Sequence, residues 1–357
     1  MRSQAGFSLV EMLVATAIFA AALALMLGFI AAGGRAGRSY PDRADVNQRV
    51  RVAAAMLERD LLVAGAGVGH GSPRSLADYL PPIRPARDGA EAPDPDVSAF
   101  QDRISILQVP QGGWTARLAV DMPAADAALQ VNPGSAGCPG AGLCGFTPGT
   151  RAVVLDSARL GSGYDIFTVT GIASGLEHGP PNPPFWQPYT AAAAFVVPVR
   201  QRVYYLDAKG YRLMVYDGFK TALPLVDNVV SLKFSYFLDP HPAAVVLPPD
   251  NSGSCVFTAT DPPVPLLMPL GTSTLSPASL EQFTDGPFCG LPPNRFDADL
   301  LRIRRVRVTV RVQAALERLR GKGPGFQHAG TSADTANSIE DFEVTFDVAP
   351  RSIRPTR

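Results

Sequence analysis

Residues 6–34 read GFSLVEMLVATAIFAAALALMLGFIAAGG. From Met12 to Ala32 the chain has 21 consecutive residues without a charge. At a rise of about 1.5 Å per residue, a helix of this length covers roughly 32 Å, which is enough to cross the apolar core of a bilayer. No later segment is comparable. The sequence therefore predicts one transmembrane helix, over residues 7–32.

A single carboxylate, Glu11, lies near the start of this apolar run. A charged side chain at the centre of a bilayer costs about 2.5–3.5 kcal/mol, and less near either surface. Because Glu11 is near the beginning of the span, its carboxylate can lie at the level of the lipid headgroups. This position explains how the acid is tolerated, but it does not give the acid a function.

The composition excludes some classes of protein. The chain has 357 residues, of which 46% are hydrophobic and 18% charged, so it is globular or attached to a membrane and not disordered. Its 32 basic and 32 acidic residues cancel. This balance provides no general attraction to nucleic acid or to an anionic surface. The 34 prolines and 33 glycines predict long loops.

Glycine and proline are frequent directly after the apolar run, and they predict a break or linker at residues 33–43. An apolar residue then recurs every three or four positions, which predicts an amphipathic helix at residues 44–64. The glycine-rich stretch 64–71 ends this helix. The apolar stripe consists of Val46, Val50, Ala53, Leu57 and Leu61.

Beyond about residue 100, short segments with strand-like composition follow one another without intervening helices, which predicts an antiparallel sheet. The predicted fold is α+β, with a β-rich exported domain over residues 65–357. Residues 203–216 are typical of a hairpin with its turn at Asp207 to Gly210. The predicted strands are 103–109, 116–122, 151–155, 165–172, 195–206, 211–216, 228–238, 301–312 and 341–348.

The strand at 301–312 contains an irregularity. Its apolar residues lie at odd positions up to Ile303 and at even positions from Val306 onward. Side chains of a strand alternate between two faces, so this change of parity requires an extra residue. We expect a β-bulge near Arg304 and Arg305.

Four cysteines occur, none of them in a CxxC pair or near a histidine at the spacing of metal ligands. In an exported protein, the simplest pairing joins Cys138 to Cys144 and Cys255 to Cys289, each closing a loop. Four cysteines allow three connectivities. Reduced cysteines with only a structural role are the alternative.

Signatures of enzymes are missing from the sequence. It contains no HExxH, no GxSxG and no P-loop, and the glycines of GAGVGHG lack the dinucleotide-binding spacing. We therefore expect no catalytic activity, no cofactor and no metal site. Asp94 with Asp96, and Asp297 with Asp299, are pairs of loop acids that suit calcium, but solvated carboxylates are the favoured interpretation.

Two further segments allow a binding function. Five arginines in residues 302–311 allow a basic strand face for DNA, but no aromatic residues alternate with them, so a solvated or salt-bridged face is favoured. The loop HGPPNPPFWQPY, residues 178–189, carries three aromatic side chains that suit a partner contact. Packing of this loop against its own sheet is favoured over a partner contact.

The sequence Gly6-Phe7-Ser8-Leu9-Val10-Glu11, followed by MLVATAIFA, resembles the type IV prepilin cleavage and methylation motif. This resemblance implies that residues 1–6 are a leader peptide. Prepilin peptidase would cut after Gly6 and methylate the new amino terminus of Phe7. A glycine before the cut lets the peptidase approach the backbone closely, because it has no side chain.

The resemblance also implies a function for Glu11, the fifth residue of the processed chain. In this family the acid is thought to pair with the amino terminus of a neighbouring subunit as pilins move from the membrane into the filament. In apolar surroundings such an attraction is little screened, and an unpaired carboxylate is costly. Glu11 would thereby fix the register in which the subunit is inserted into the growing filament.

The segment VNQRVRVAAAMLERDLLVAGAGVG and the order of the later strand blocks resemble PilW-like minor pilins and GspJ-like pseudopilins. This implies a pilin-like fold and a minor type IV pilin, anchored once in the inner membrane. Its C-terminal domain would lie in the periplasm or, after assembly, in the pilus at the cell surface.

The implied partners are prepilin peptidase, other minor and major pilins, a pilus or secretion assembly platform and inner-membrane lipid. Nucleic acid is not expected among them. Three alternatives are a minor pseudopilin of type II secretion, an adhesion or DNA-uptake module, and a plain membrane-anchored exported domain.

Overall fold

The computed structural model describes residues 8–67, 76–110, 114–135, 138, 143–158, 163–180, 182–241, 254–271, 274–333 and 338–353, and for residues 31–40 it describes the backbone. The chain divides into two compact units. The first comprises Met1–Arg49 and Val312–Phe342, and the second comprises Val50–Arg311 and Glu343–Arg357. This division differs from the predicted domains, because residues 312–342 were expected to belong with the β-rich part.

One long helix, α1, spans Leu9–Leu62 and contains 54 residues. The predicted break at residues 33–43 is wrong, since the backbone remains helical through Pro41. A proline in a helix interior costs about 3 kcal/mol and a glycine about 1 kcal/mol. Once a helix has been nucleated, each further residue adds a hydrogen bond, so the long helical runs on either side offset these local penalties.

The apolar stripe predicted for the second part of α1 is confirmed. In the first unit Val46 is buried, and in the second unit Val50, Ala53, Leu57 and Leu61 are buried. The helix ends at Leu62, two residues earlier than predicted. Gly65 then adopts a φ of 69°, a left-handed conformation common after helices, and its N–H donates to the Leu107 carbonyl at 2.8 Å.

The strands are β1 (Ile83–Arg84), β2 (Arg103–Gln108), β3 (Ala116–Arg117), β4 (Arg151–Asp156), β5 (Tyr164–Thr168), β6 (Ala194–Pro198), β7 (Arg200–Asp207), β8 (Arg212–Tyr216), β9 (Ala222–Asp227), β10 (Val229–Leu238), β11 (Ser276–Pro277), β12 (Phe288–Cys289), β13 (Phe296–Asp297), β14 (Ile303–Val312) and β15 (Phe342–Val348). Short 3-10 helices lie at Leu76–Asp78, Glu281–Phe283, Ala298–Arg302 and Glu317–Leu319.

These strands form antiparallel sheets, which confirms the α+β class. A five-stranded sheet has the order β1-β2-β7-β8-β9, and two four-stranded sheets have the orders β3-β6-β4-β5 and β11-β10-β14-β15. Strands β12 and β13 pair separately. The predicted hairpin is β7 and β8, in which Asp207 pairs with Arg212 and its carboxylate accepts from the Gly210 N–H at 3.1 Å.

The predicted strand at 195–206 is in fact two strands. Val199 separates β6 from β7, and the two strands join different sheets. The predicted strand at 301–312 begins only at Ile303, after the 3-10 helix. Ile303 and Val306 are both buried, so burial changes parity where the sequence indicated. The β-bulge there stays a prediction.

Both predicted disulfides are present, Cys138–Cys144 and Cys255–Cys289. They close loops whose ends are 6 and 34 residues apart. In the chain-entropy model such cross-links stabilise the folded state by about 2 and about 4 kcal/mol, respectively. The second disulfide therefore constrains the long, proline-rich connection between β10 and β12.

In the first unit, the connection between β14 and β15 is held by polar contacts. The Arg320 guanidinium donates to the buried Gln313 amide oxygen at 3.0 Å, and the Ile339 N–H donates to the Leu319 carbonyl at 2.7 Å. Arg43 of α1 donates to the Ser338 carbonyl at 3.4 Å. This segment thus lies against the part of α1 that belongs to the same unit.

Candidate assembly site at the N-terminus

The first part of α1 has an apolar surface that no other part of the described chain covers. The segment Leu9–Ile30 is long and apolar enough to cross a membrane, and none of it is buried within the described chain. Leu9, Leu25 and Phe29 are exposed to 79%, 76% and 85%. Exposed apolar side chains on every face of a helix require lipid or other helices around them.

Ser8 and Glu11 form the start of this helix. The Ser8 carbonyl accepts the first helical hydrogen bond, from the Met12 N–H at 3.2 Å. The Ser8 hydroxyl accepts from the Val10 N–H at 3.2 Å, and Glu11 Oε2 accepts from the Ser8 N–H at 3.1 Å. This reciprocal arrangement is that of a capping box, although the hydroxyl here bonds the second helical N–H instead of the third.

The capping box was missed in the analysis of the sequence, although its S-x-x-E signal is visible at residues 8–11. It satisfies two N–H groups that a helix terminus otherwise leaves free. It also keeps the Glu11 carboxylate at the positive end of the helix dipole, where negative charge is favoured. Gly6 and Phe7, the predicted sites of cleavage and methylation, lie outside the described residues.

Residues 1–27 match the family model for the prokaryotic N-terminal methylation motif. The N-terminus of the chain is that of a type IV prepilin-like protein. The matched range includes Gly6, Phe7, Glu11 and most of the exposed apolar segment. No curated protein and no solved structure matches the chain. The similarity of the later segments to particular minor pilins or pseudopilins stays a prediction.

The motif and the apolar helix fit a membrane-anchored protein. They support membership of the type IV pilin and pseudopilin class, which is processed by prepilin peptidase. The prepilin-like N-terminus and the exposed helix therefore form one candidate site.

The loop acids singled out in the sequence have structural contacts. Asp94 forms an ion pair with Arg103 at 2.9 Å. Carboxylate oxygens of Asp285, Asp297 and Asp299 lie within 4.8 Å of one another. Asp297 accepts from the N–H groups of Gly286 and Asp299, and burial raises the pKa of its carboxyl to about 6. These hydrogen bonds identify Asp297 as the N-cap of the 3-10 helix before β14.

The arginines of residues 302–311 do not form a uniform basic face. Arg302 lies in the 3-10 helix and is buried. Arg305 and Arg307 form ion pairs with Asp347 at 3.8 and 2.7 Å, and both guanidinium groups lie over the Phe237 ring. These contacts support the favoured interpretation, a salt-bridged sheet face.

The aromatic loop packs against its own sheet, as favoured from the sequence. Phe185 and Tyr189 are buried in the core around β4, β5 and β6. The His178 ring stacks on Phe185 with 3.7 Å between centroids. Burial lowers the pKa of His178, while its ring bonds to the Ala127 carbonyl at 2.9 Å.

A buried carboxylate, Asp165, holds this loop in place. It accepts hydrogen bonds from the Tyr189 hydroxyl at 2.8 Å, the Trp186 N–H at 3.3 Å and the Asn294 amide at 2.8 Å. Burial nevertheless raises the pKa of its carboxyl to about 7. Desolvation outweighs the three donors, and among the described residues no ion pair joins Asp165 to a cation.

We expect this carboxyl to make the second unit less stable as the pH rises. A raised folded-state pKa means that between about pH 4 and 7 the folded chain binds more protons than the unfolded chain, so the free energy of unfolding falls by up to about 1.4 kcal/mol per pH unit. Urea unfolding of the full chain in detergent at several pH values measures this slope. Asp165→Asn should flatten the slope, whereas Asp227→Asn on the edge strand β9 should not. Equal slopes in both variants would contradict the assignment.

Proposed function

We propose that this chain is a minor type IV pilin. It is anchored in the inner membrane by α1, processed after Gly6, methylated at Phe7 and assembled at or near the end of a filament. The observation that carries the proposal is the exposed apolar segment Leu9–Ile30, which begins with a capped carboxylate inside a methylation motif. A helix that is apolar on all faces suits lipid first and a bundle of pilin helices afterwards.

The capping box is compatible with the assembly function of Glu11. The residues of the box, Ser8 to Glu11, all follow the predicted cut, so processing leaves it intact. A carboxylate has about four acceptor positions, and Ser8 occupies one of them. Glu11 can therefore keep its own helix capped while it accepts from the amino terminus of a neighbouring subunit.

The second unit acts as an exported domain without chemistry of its own. Two disulfides support export, because such bonds persist in oxidising compartments like the periplasm. In this proposal the chain functions by assembly, and its partners are prepilin peptidase, other pilins, the assembly platform and inner-membrane lipid.

The test is the intact mass and the N-terminal sequence of the chain, expressed with and without prepilin peptidase. We expect a peptidase-dependent product that begins at N-methylated Phe7. Gly6→Leu should block processing because its side chain keeps the peptidase from the backbone, whereas Ala5→Ser should be processed normally. A chain that keeps Met1 while a control prepilin is cut would contradict the proposal.

Partner recovery then separates the filament systems. Crosslinking of the processed chain in its native membrane should recover major and minor pilins. Recovery of type II secretion pseudopilins instead would assign the chain to the alternative machine, which uses the same kind of helix.

A further inference from the structure

A cavity of about 290 Å³ lies in the second unit, between the two sheets that contain β2 and β4. Its charged and amide walls include Arg84 of β1, Arg151 of β4 and Gln201 of β7, and its apolar walls include prolines from three loops. We call it the arginine pocket. A pocket of this volume is large enough to hold one small organic molecule.

Two buried donors in the walls have no partner among the described residues. Gln201 is only 2% exposed; its amide oxygen accepts from Arg151 Nε at 3.2 Å, which leaves its Nε2 group unsatisfied. Arg84 is 8% exposed, and its Nε is likewise unsatisfied. An unmade hydrogen bond at a buried donor costs about 1–3 kcal/mol. Such donors at the wall of a cavity point to an acceptor within it.

Arg151 forms no ion pair with a carboxylate among the residues that the structure describes. Within the described chain its hydrogen bonds go to two neutral groups, the Gln201 amide oxygen at 3.2 Å and the Thr168 hydroxyl at 3.1 Å. Burial lowers the pKa of its guanidinium to about 10. Asp88 and Asp217 favour its charged form, but neither forms an ion pair with it, so the carboxylate of a ligand can take this position.

Two of the three aspartates that line the pocket are already engaged. Asp88 lies 3.4 Å from Arg84, and Asp94 pairs with Arg103 at 2.9 Å while it accepts from the Arg87 N–H at 2.7 Å. The third, Asp96, is a partly exposed acceptor in the same lining. The pocket thus combines donors suited to an anion with an acceptor suited to a hydroxyl or ammonium group.

We propose that the arginine pocket binds a small organic carboxylate. The carboxylate is held by Arg151 and by Gln201 Nε2, and Asp96 accepts from a hydroxyl or ammonium group of the same molecule. This chemistry is shared by acidic sugars and by free amino acids. The proposal rests on the second unit alone and does not depend on the function of the N-terminal helix.

Ligand-observed saturation-transfer NMR on the full chain in detergent micelles tests the proposal, with glucuronate, glutamate, acetate and uncharged glucose as probes. We expect glucuronate or glutamate to bind and glucose not to bind. Arg151→Gln removes charge-assisted hydrogen bonds worth about 1.5–3 kcal/mol and should weaken binding about 10- to 100-fold. Arg200→Gln, an exposed arginine on β7, is the matched control and should bind as the wild type does.

A second variant distinguishes a loss of binding from a folding defect in Arg151→Gln. Gln201→Glu places a carboxylate beside Arg151, which gives Arg151 an ion-pair partner and repels an anionic ligand, so this variant should fold and lose binding. Binding of glucuronate alone identifies an acidic sugar as the source, and binding of glutamate alone identifies an amino acid. Absence of binding by all three carboxylates, or binding that survives both pocket variants, overturns the proposal.

Discussion

Replacing Glu11 by glutamine is expected to remove the chain from filaments while its helix still begins at the same residue. Glutamine keeps an oxygen that accepts from the Ser8 N–H, so the capping contact at 3.1 Å has a substitute. The charge, however, is lost. In the proposed assembly this charge pairs with an amino terminus in apolar surroundings, where loss of one partner costs about 3–5 kcal/mol. Incorporation should therefore fall by at least about 100-fold.

Three variants separate the charge from the cap. Glu11→Gln removes only the charge, Ser8→Ala removes only the hydroxyl that accepts from Val10, and Glu11→Ala removes both contributions of the acid. Loss of a capping side chain costs about 1 kcal/mol, so Ser8→Ala should reduce incorporation much less than Glu11→Gln. The measurement is the amount of each variant in sheared filaments relative to its amount in the membrane. Wild-type incorporation of Glu11→Gln would show that the charge is not required.

Replacing Arg302 by methionine is expected to destabilise the second unit by about 3–5 kcal/mol, because buried acceptors lose their shared cation. Arg302 is 1% exposed and donates to the carbonyls of Asp239, Pro240 and Met268 at 2.9, 3.0 and 3.0 Å. It also forms an ion pair with Asp299 at 3.1 Å. One guanidinium therefore holds two distant points of the connection that follows β10. Methionine fills a similar volume but leaves all four acceptors without this donor.

Urea unfolding of the full chain in detergent, followed by tryptophan fluorescence, measures the effect. Arg302→Lys keeps the charge but concentrates its donors at a single nitrogen, so it should recover only part of the lost stability. Arg307→Met removes an arginine from the exposed face of β14 and should change the midpoint far less. An Arg302→Met midpoint equal to that of Arg307→Met would contradict a central structural role for Arg302.

Errors in the predicted elements have identifiable causes. Strand β9 (Ala222–Asp227) was not predicted because Pro224 interrupts its sequence, yet β9 is an edge strand, where a missing N–H need not break a ladder. The break at residues 33–43 was predicted from glycine and proline alone. These residues indicate the local free-energy cost of a helix, but they do not indicate how long the helix is on either side. Arg302 was placed on an exposed strand face because its carbonyl partners lie more than 30 residues away in the chain.

Features that depend on residues close together in the chain could be predicted from the sequence. These are the apolar span, the methylation motif, the buried stripe of α1 and most of the strands. Each depends on a short-range period or motif. Even the capping box at Ser8 and Glu11 belongs to this group, since its signal was present and was overlooked.

The identity of the buried polar side chains and of their contacts could not be predicted from the sequence. The contacts of Asp165 and Arg302 and the walls of the arginine pocket bring together residues that are distant in the sequence. The same types of residue also occur in solvated loops. The free energy of a buried charge depends on desolvation and on its partners within a few ångströms. Neither quantity is encoded by local periodicity, so both appear only when the chain is folded.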